Sequence, residues 1–396
     1  MSIDSRVPEI RFKGFSEEWQ EREFSDIATR VSIHHQSTCL PWVEYEDIVA
    51  GKGRFNKDIH QKKTFKAGLK FEADDVLFGK LRPYLKNWFL ADFEGLAVGD
   101  FWVLRADNVA STFLFSLIQT NEFEFISNLS AGSKMPRSDW GLVSSSCFFV
   151  PKNISESNEI GNYFQKLDSL INQYQQKHDK FSNIKKAMLE KMFPKPGETI
   201  PEIRFKGFSG EWEEKGLNNE VELFSGLTYS PSDIRNSGTL VLRSSNVKNG
   251  QLIEADNIYV NPEVVNCSNV VEGDIIVVVR NGSRSLIGKH AQVTSRMNNT
   301  VIGAFMTGIR SKQPAFINAL LDTNMFTTEV EKNLGATINQ ITNGSFNSMV
   351  FMFPKEDEQT AIGNYFQKLD ALINQHQQQI AKLNNIKQAC LSKMFV

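Results

Sequence analysis

The sequence predicts a mixed α/β (α+β) fold: two modules of strands and short helices, separated by two long antiparallel helices that form a coiled-coil spacer. Three observations lead to this prediction. A twelve-residue motif occurs twice, a long helical pattern occurs twice, and the blocks between them alternate short apolar runs with turn residues. The order is motif, block, helix, and then the same again, so we predict a pseudo-two-fold internal duplication.

The twelve-residue motif is kept almost unchanged. PEIRFKGFSEEW at Pro8–Trp19 returns as PEIRFKGFSGEW at Pro201–Trp212, with Glu17 replaced by Gly210. We predict that its Phe and Trp side chains pack where each module meets a helix. The blocks at about 20–154 and 213–356 share little beyond a strand-like rhythm. This contrast favours two modules of one architecture with different specificities over a duplication followed by uniform drift.

The helical pattern at 160–193 returns at 362–395 with 24 of 34 positions identical. Its apolar residues recur in alternating steps of four and three, which predicts a heptad seam. Each copy would span about 50 Å, and its obvious partner is the other copy; the alternative is two ordinary amphipathic helices on a domain core. The predicted seam consists of Ile160, Phe164, Leu167, Ile171, Tyr174 and Phe181 in the first copy, and of Ile362, Phe366, Leu369, Ile373, Ile380 and Leu383 in the second.

The ends of these patterns divide the chain into four segments. Ser155 and Asp357 precede the two patterns at equivalent places and are predicted N-caps, and the PKPG sequence at 194–197 ends the first helix. The segments are residues 1–154, with the first motif and block, 155–194, the first helix, 195–356, with a linker, the second motif and the second block, and 357–396, the second helix.

Each block contains an apolar strand, a basic turn and a second strand. These are DDVLFGKLRPYLKNWFL at 74–90 and GDIIVVVRNGSRSLIGKHAQV at 273–293. Asn281-Gly282 predicts a tight hairpin turn, with Arg280, Arg284 and Lys289 near its tip. The sequences FSLIQTNEFEFI and FINALLDTNMFTTEV predict helices, and polar loops follow at 130–141 and 333–346.

Charge is neutral overall and basic locally. The formal net charge is −2, but residues 51–86 hold ten Lys or Arg against four acids, and residues 235–312 hold nine against five. Such patches are typical of phosphate-binding surfaces, although a solvated face explains them equally well. The four cysteines are far apart and no long apolar run occurs, which favours a reducing cytoplasm, without disulfides or membrane spans.

No catalytic constellation is found. The sequence GSRSLIGKH at 282–290 has the wrong spacing for a phosphate-binding loop, and His290 stands where such a loop needs Ser or Thr. The six histidines have no ligand spacing, and His34-His35 with Cys39 is a weak metal set. The sequence therefore predicts no metal site and no enzyme active site.

Taken together, the sequences PEIRFKGFSEEW, DVLFGKLRPYLKNWF, AVGDFWVLR, EIGNYFQKLDSLINQYQQK, PEIRFKGFSGEW, VEGDIIVVVRNGS and AIGNYFQKLDALINQHQQQ resemble the specificity subunits of type I restriction-modification systems. The resemblance covers essentially the whole chain. It implies that each block is a target recognition domain that reads half of a bipartite DNA sequence, while the helix pair sets the gap. It also implies a non-catalytic chain that binds double-stranded DNA, two modification subunits and restriction subunits. The cofactors S-adenosylmethionine, ATP and Mg²⁺ would lie on those partners.

The resemblance places recognition in loops and hairpins, so we expect DNA contacts from the matching stretches. The predicted DNA-binding residues are Lys80, Arg82, Tyr84, Lys86, Lys134, Arg137 and Ser138 in the first block, and Arg243, Ser245, Asn246, Arg280, Asn281, Ser283, Arg284, Asn339 and Gln340 in the second. Arg, Asn and Gln suit base edges, and Ser suits phosphates.

Two other functions remain open from the residues alone. One is a standalone DNA-modifying enzyme, a nuclease or a methyltransferase, although no motif for either is present. The other is a coiled-coil scaffold that binds only protein.

Overall fold

The computed structural model of the chain describes residues 6–62, 66–129, 135–334 and 339–396. Its contacts define two compact units. Unit 1 comprises Met1–Gln176 and Gln377–Val396, and unit 2 comprises Lys177–His376. Each unit therefore contains the beginning of one long helix and the end of the other.

Unit 1 is built from short strands, short helices and one end of each long helix. In chain order its elements are β1 (Gln20–Glu23), α1 (Phe24–Ile27), β2 (Ala28–Val31), β3 (His34–Gln36), β4 (Trp42–Val43), β5 (Ile48–Val49), β6 (Arg54–Phe55), β7 (Ala67–Phe71), β8 (Val76–Gly79), β9 (Trp88–Leu90), β10 (Gly95–Ala97), β11 (Phe101–Ala106), α2 (Ser111–Leu117), α3 (Asn121–Ser127), α4 (Trp140–Ser145), β12 (Cys147–Val150) and the start of α5 (Ile154–Lys191).

Unit 2 repeats this order of strands, with a 3₁₀ turn at Leu217–Asn219 in the place of α1. Its elements are β13 (Glu213–Gly216), β14 (Val221–Ser225), β15 (Ile234–Arg235), β16 (Thr239–Leu242), β17 (Val247–Lys248), β18 (Gln251–Leu252), β19 (Ile258–Val260), β20 (Ile275–Val278), β21 (His290–Gln292), β22 (Thr300–Ile302), β23 (Met306–Ser311), α6 (Pro314–Leu321), α7 (Asn324–Asn333), α8 (Asn343–Asn347), β24 (Val350–Phe353) and the start of α9 (Glu356–Lys393).

One four-stranded sheet has the same strand order in both units, and a second four-stranded sheet differs between them. The order β2-β11-β8-β9 in unit 1 matches β14-β23-β20-β21 in unit 2. The second sheet runs β3-β7-β10-β4 in unit 1 but β15-β19-β16-β22 in unit 2. Both second sheets contain one parallel pair, β4 with β10 and β16 with β22. In unit 1 the later strand of the pair, β10, also pairs with β7, whereas in unit 2 the earlier strand, β16, also pairs with β19.

In unit 1, the sheet β2-β11-β8-β9 separates two apolar cores. Val76 and Phe78 of β8 pack in one core with the helices, whereas Leu77 between them packs in the other core with Phe71 of the second sheet. Successive side chains of a strand point to opposite faces, so a strand covered on both faces is apolar throughout. This is why β8 and β20 appear in the sequence as continuous apolar runs.

The repeated motif joins the two helix ends that meet in each unit. In unit 1, Arg11 pairs with Glu156 of α5 at 2.6 Å, and the backbone of Ile10 donates to Lys393 of α9. In unit 2, Arg204 pairs with Glu358 of α9 at 2.6 Å, and Ile203 donates to Lys191 of α5. The motif tryptophans, Trp19 and Trp212, are buried in the cores of their units. The predicted packing role of the motif is confirmed.

Within each unit, the long helices run antiparallel and share an ion pair. Lys387 contacts Asp168 at 2.6 Å in unit 1, and Lys185 contacts Asp370 at 2.5 Å in unit 2. Lys387 also reaches Gln119 at 2.8 Å, whereas Lys185 meets a second carboxylate, that of Asp322, at 2.6 Å.

The predicted seam is buried or half-buried at every position. Part of it packs on its module as well as on the other helix. In unit 1, Ile160, Phe164 and Leu167 share a core with Phe113 of α2 and with Leu391 near the end of α9. The two alternatives considered for the helices, pairing with each other and packing on a domain core, therefore both hold.

A glycine explains one fixed position of the repeated helix. A Cβ at Gly161 would lie 2.6 Å from the backbone nitrogen of Phe113, and a Cβ at Gly363 would lie 2.6 Å from that of Phe316. These distances are shorter than real carbon contacts, so only glycine lets each long helix cross the short helix beside it.

Two local predictions are wrong. Ser155 and Asp357 lie inside their helices, which begin at Ile154 and Glu356, and the side chain of Asn153 is the group that accepts from the Ser155 amide at 2.8 Å. Asn281-Gly282 does not form a two-residue hairpin turn. β20 and β21 do pair antiparallel, but residues 279–289 connect them through a longer loop, since tertiary contacts to other loops fix its path.

Candidate nucleic-acid interface

Four loops meet at the end of β8 in unit 1. They are residues 44–47, 80–87, 98–100 and 135–138, which we call the first loop cluster. Backbone hydrogen bonds join them, from Lys80 to Asp100 at 2.9 Å, from Arg82 to Pro136 at 2.7 Å and from Ser138 to Lys80 at 2.8 Å. The half-buried Tyr45 hydroxyl donates to the Asp100 carbonyl, and burial raises the pKa of Tyr45 to about 12. Tyr45 is thus a neutral hydrogen-bonding group at neutral pH.

Unit 2 builds an equivalent second loop cluster from residues 243–246, 279–289, 303–305 and 339–340. The same backbone bonds recur, from Val279 to Phe305 at 3.0 Å, from Asn281 to Asn339 at 3.3 Å and from Ile341 to Val279 at 2.9 Å. Position 80 is therefore equivalent to 279, 82 to 281, 100 to 305, 136 to 339 and 138 to 341. One backbone framework carries two different sets of side chains.

The cations of the first loop cluster are largely paired with acids. Asp100 accepts from Arg137 at 2.9 Å and lies 3.7 Å from Lys80. Lys86, whose φ of 57° is left-handed, pairs with Glu124 of α3 at 2.7 Å. Arg82 and Tyr84 are exposed at the tip of the loop. The local excess of positive charge in the sequence therefore overstates the field that this surface presents.

The second loop cluster has cations without such acids. The guanidinium carbon of Arg280 lies 4.8 Å from the centre of the Phe305 ring. Arg243 donates to the backbone carbonyl of Asp256 at 2.6 Å, and Arg284 is exposed. Among the described residues, none of these three arginines has a carboxylate within ion-pair distance. Their charge remains available to a ligand.

Several residues predicted to contact DNA instead form hydrogen bonds within their own unit. Ser138 is buried and donates to the Ser127 carbonyl at 2.8 Å. Asn246 is also buried, and its amide group bonds Ile253, Ala255 and Asn257. Because these side chains are enclosed and hydrogen bonded within their own unit, we assign them to loop structure instead of to DNA.

The remaining polar residues of the second loop cluster connect its loops. Asn281 donates to Ser244 at 3.1 Å and Asn339 donates to the Gly282 carbonyl at 3.1 Å. Ser283 is exposed, and Ser245 and Gln340 are half-buried. Lys134, the remaining predicted contact, lies outside the described residues.

Sequence reasoning missed Asp100 and Phe305. Neither belongs to a recognisable motif, since each occupies a short turn before a strand. An exposed aromatic residue between two apolar strands is the only sequence signal for Phe305, and it resembles ordinary strand composition.

The described residues contain no group of three or more His, Cys, Asp or Glu side chains that could hold a metal ion. The four cysteines are free thiols. In the part of the chain that the structure describes, no helix has the length and hydrophobicity to cross a membrane.

Comparison with known proteins first shows which class of protein the chain resembles. Residues 209–385 match the family model of the type I restriction modification DNA specificity domain. The fold resembles the crystal structure of a type I restriction-modification S subunit from M. genitalium, with a TM-score of 0.64 and 14% identity over 98% of this chain and 99% of that one.

Two curated relatives show the same similarity at the level of sequence. The chain is 25% identical over 186 residues to the StySPI specificity subunit of Salmonella potsdam and to the EcoKI specificity subunit of Escherichia coli K12, in each case over 45% of this chain and 39% of the relative. The match thus spans about two fifths of the length of these relatives. The predicted resemblance is confirmed: the chain is similar to type I restriction-modification specificity subunits.

Proposed function

We propose that this chain is the DNA sequence-specificity subunit of a type I restriction-modification complex. The observation that carries the proposal is the pair of loop clusters, in which one backbone framework presents different side chains. Two copies of one reader with unlike surfaces suit a DNA target with two unlike halves. In this proposal, unit 1 reads one half-site and unit 2 reads the other.

In the same proposal the chain is non-catalytic. It would bind double-stranded DNA, two modification subunits and restriction subunits, and direct the adenine-N6 methylation and the cleavage that those subunits carry out. S-adenosylmethionine, ATP and Mg²⁺ would bind to the partners.

The long helices would set the gap between the half-sites. Each is a continuous helix of 38 residues, or about 57 Å at ~1.5 Å per residue. Ionic contacts and close glycine crossings fix each helix end within its unit. A change of helix length should therefore change the gap between the half-sites.

Sequencing of methylated bases in a host with and without this gene tests the proposal. We expect the gene to direct methylation to one bipartite sequence with a constant gap. The purified chain alone, with DNA and S-adenosylmethionine, should transfer no methyl groups. Methylation by the chain alone would favour a standalone enzyme, and DNA binding by neither the chain nor its complex would favour a protein-binding scaffold.

Matched heptad deletions test the spacer. Removing residues 174–180 and 376–382 together shortens both helices by about 10 Å, which is about three base pairs at ~3.4 Å each. We expect a shorter gap or loss of methylation. Removing only one heptad is the control, because it breaks the pairing register and should abolish methylation. An unchanged gap in the double deletion would contradict the spacer role.

A further inference from the structure

The turn before β23 carries an exposed aromatic ring at the centre of the second loop cluster. Phe305 is 54% exposed, so more than half of its side-chain surface faces solvent. Its backbone carbonyl accepts from Val279 at 3.0 Å and from Arg280 at 3.2 Å. The same residue thus holds the backbone at the end of β20 and, through its ring, the guanidinium of Arg280.

This contact fixes the orientation of a cation without neutralising it. A guanidinium group stacks on an aromatic face while its edge keeps a planar fork of N–H donors. A carboxylate in the same place would occupy those donors. In unit 1 the position equivalent to Phe305 holds such a carboxylate, Asp100, which pairs at 2.9 Å with Arg137, the counterpart of Gln340.

A fixed, unpaired fork suits a base edge. Guanine presents two acceptors, O6 and N7, side by side in the major groove, and bidentate arginine is their commonest partner. A phosphate contact needs no defined plane, and the exposed Arg284 already supplies another cation nearby in the sequence. The aromatic support of Arg280 therefore favours base reading over backbone binding.

We propose that Arg280 reads a guanine in the half-site bound by unit 2 and that Phe305 is the positioning residue that makes this possible. The proposal rests on the proposed DNA-recognition function. It assigns a chemical preference, one G·C base pair with guanine presented to Arg280, to a half-site that is otherwise undefined.

Selection from a library of randomised DNA duplexes tests it, with the full chain co-purified with modification subunits. Wild-type protein should select a bipartite sequence with an invariant guanine in one half-site. Arg280→Ala should make that position degenerate, with a loss of roughly 5- to 150-fold in discrimination there, and leave the other half-site unchanged.

Variants of Phe305 separate positioning from general structure. Phe305→Asp places the acid of unit 1 beside Arg280 and should abolish guanine selection. Phe305→Tyr keeps the aromatic face and should retain the guanine preference. Arg284→Ala is the control and should weaken binding to all sequences equally, because no aromatic ring among the described residues supports Arg284.

The outcomes are distinct. If wild-type protein selects no bipartite sequence, the proposed function itself fails. If it selects one but Arg280→Ala weakens all sequences uniformly and lowers the salt dependence, Arg280 is a phosphate contact and this inference is overturned. Unchanged selection by Phe305→Asp would also overturn it.

Discussion

The two loop clusters have the same backbone framework, but acids pair with the cations of the first cluster and not with the arginines described for the second. In the first loop cluster, acids such as Asp100 neutralise the cations around them, whereas in the second loop cluster Phe305 occupies the equivalent position and supports Arg280. Backbone hydrogen bonds set where a loop goes, but the side chains decide what it can bind. A duplicated framework can therefore acquire two specificities without changing its fold.

The contrast extends to the 3₁₀ turns at 45–47 and 244–246. The amide of Glu44 donates to the Asp47 carboxylate at 2.7 Å, and the amide of Arg243 donates to the Asn246 carbonyl oxygen at 2.9 Å. Asp47 also pairs with Lys57 at 3.0 Å, whereas Asn246 bonds only uncharged groups. The same turn thus carries an ion-paired carboxylate, Asp47, in unit 1 and an uncharged amide, Asn246, in unit 2.

The largest expected effect concerns the parts that the units share. The Arg11–Glu156 and Arg204–Glu358 pairs are buried at equivalent places. We expect Arg11→Ala and Arg204→Ala each to lower the free energy of unfolding by about 3–5 kcal/mol, because each leaves a buried carboxylate unpaired. Chemical denaturation measures this. A large loss of stability in only one of the two variants would show that the two ion pairs are not equivalent.

A matched control uses unit 2. Among the described residues, the indole N–H of Trp212 has no hydrogen-bond partner, whereas that of Trp19 donates to Glu156 at 3.3 Å. Replacing Arg204 and Glu358 together with methionine removes both charges. This double variant should lose much less stability than Arg204→Ala.

A second prediction uses the extra acid of unit 2. Burial raises the pKa of Asp322, but the neighbouring His290, 3.4 Å away, and the charge of Lys185 outweigh burial and hold that pKa at about 2, below its usual 3.8. Ionised Asp322 therefore stabilises the fold above about pH 4, and this contribution is lost as pH falls towards 2. Denaturation of wild-type protein and Asp322→Asn should show a constant difference above about pH 5 that shrinks on acidification.

Gln119 provides the control, since it contacts Lys387 in unit 1 as Asp322 contacts Lys185 in unit 2. Gln119→Asn carries no charge and should show a difference in stability that does not depend on pH. A difference for Asp322→Asn that grows on acidification would contradict the assigned direction of the pKa shift.

The third prediction concerns the salt dependence of DNA binding. Asp100→Asn should release Lys80 and Arg137 from their shared acid. Each released cation that reaches a phosphate steepens the slope of log K against log salt by about 0.9, so we expect a steepening of up to about 1.8. Binding to a random duplex at several salt concentrations measures it.

Glu94→Gln is the control for that experiment. Glu94 pairs with Lys70 at 2.7 Å outside the first loop cluster, so this variant should leave the slope unchanged. An equal change in both variants would show that net charge, instead of the loop cluster, governs binding.

The smallest expected effect is at Phe125, which is 66% exposed on α3, where unit 2 has Thr328 at the equivalent position. We expect Phe125→Thr to change the free energy of unfolding by no more than about 0.5 kcal/mol, since little apolar area leaves the core. A larger loss in thermal or chemical denaturation would show that the ring supports unit 1 in a way that Thr328 does not support unit 2.

The sequence by itself determined the duplication, the class of fold and the helical seam. Heptad spacing, a repeated motif and apolar runs are local signals, and the structure satisfies them because each reflects the face of an element that must be buried. Gly161 and Gly363 recur for the same reason, since two backbones approach there. The resemblance to a known family followed from these repeated segments.

Only the tertiary structure decided which polar residues of the loop clusters are exposed to a ligand. Ser138 and Asn246 have the chemistry of base readers in the sequence, but contacts with distant carbonyls enclose them. Asp100 and Phe305 look unremarkable in the sequence and become equivalent only through backbone bonds that join loops far apart in the chain. A charge or a hydrogen-bond donor acts through what surrounds it, and those surroundings are set by folding.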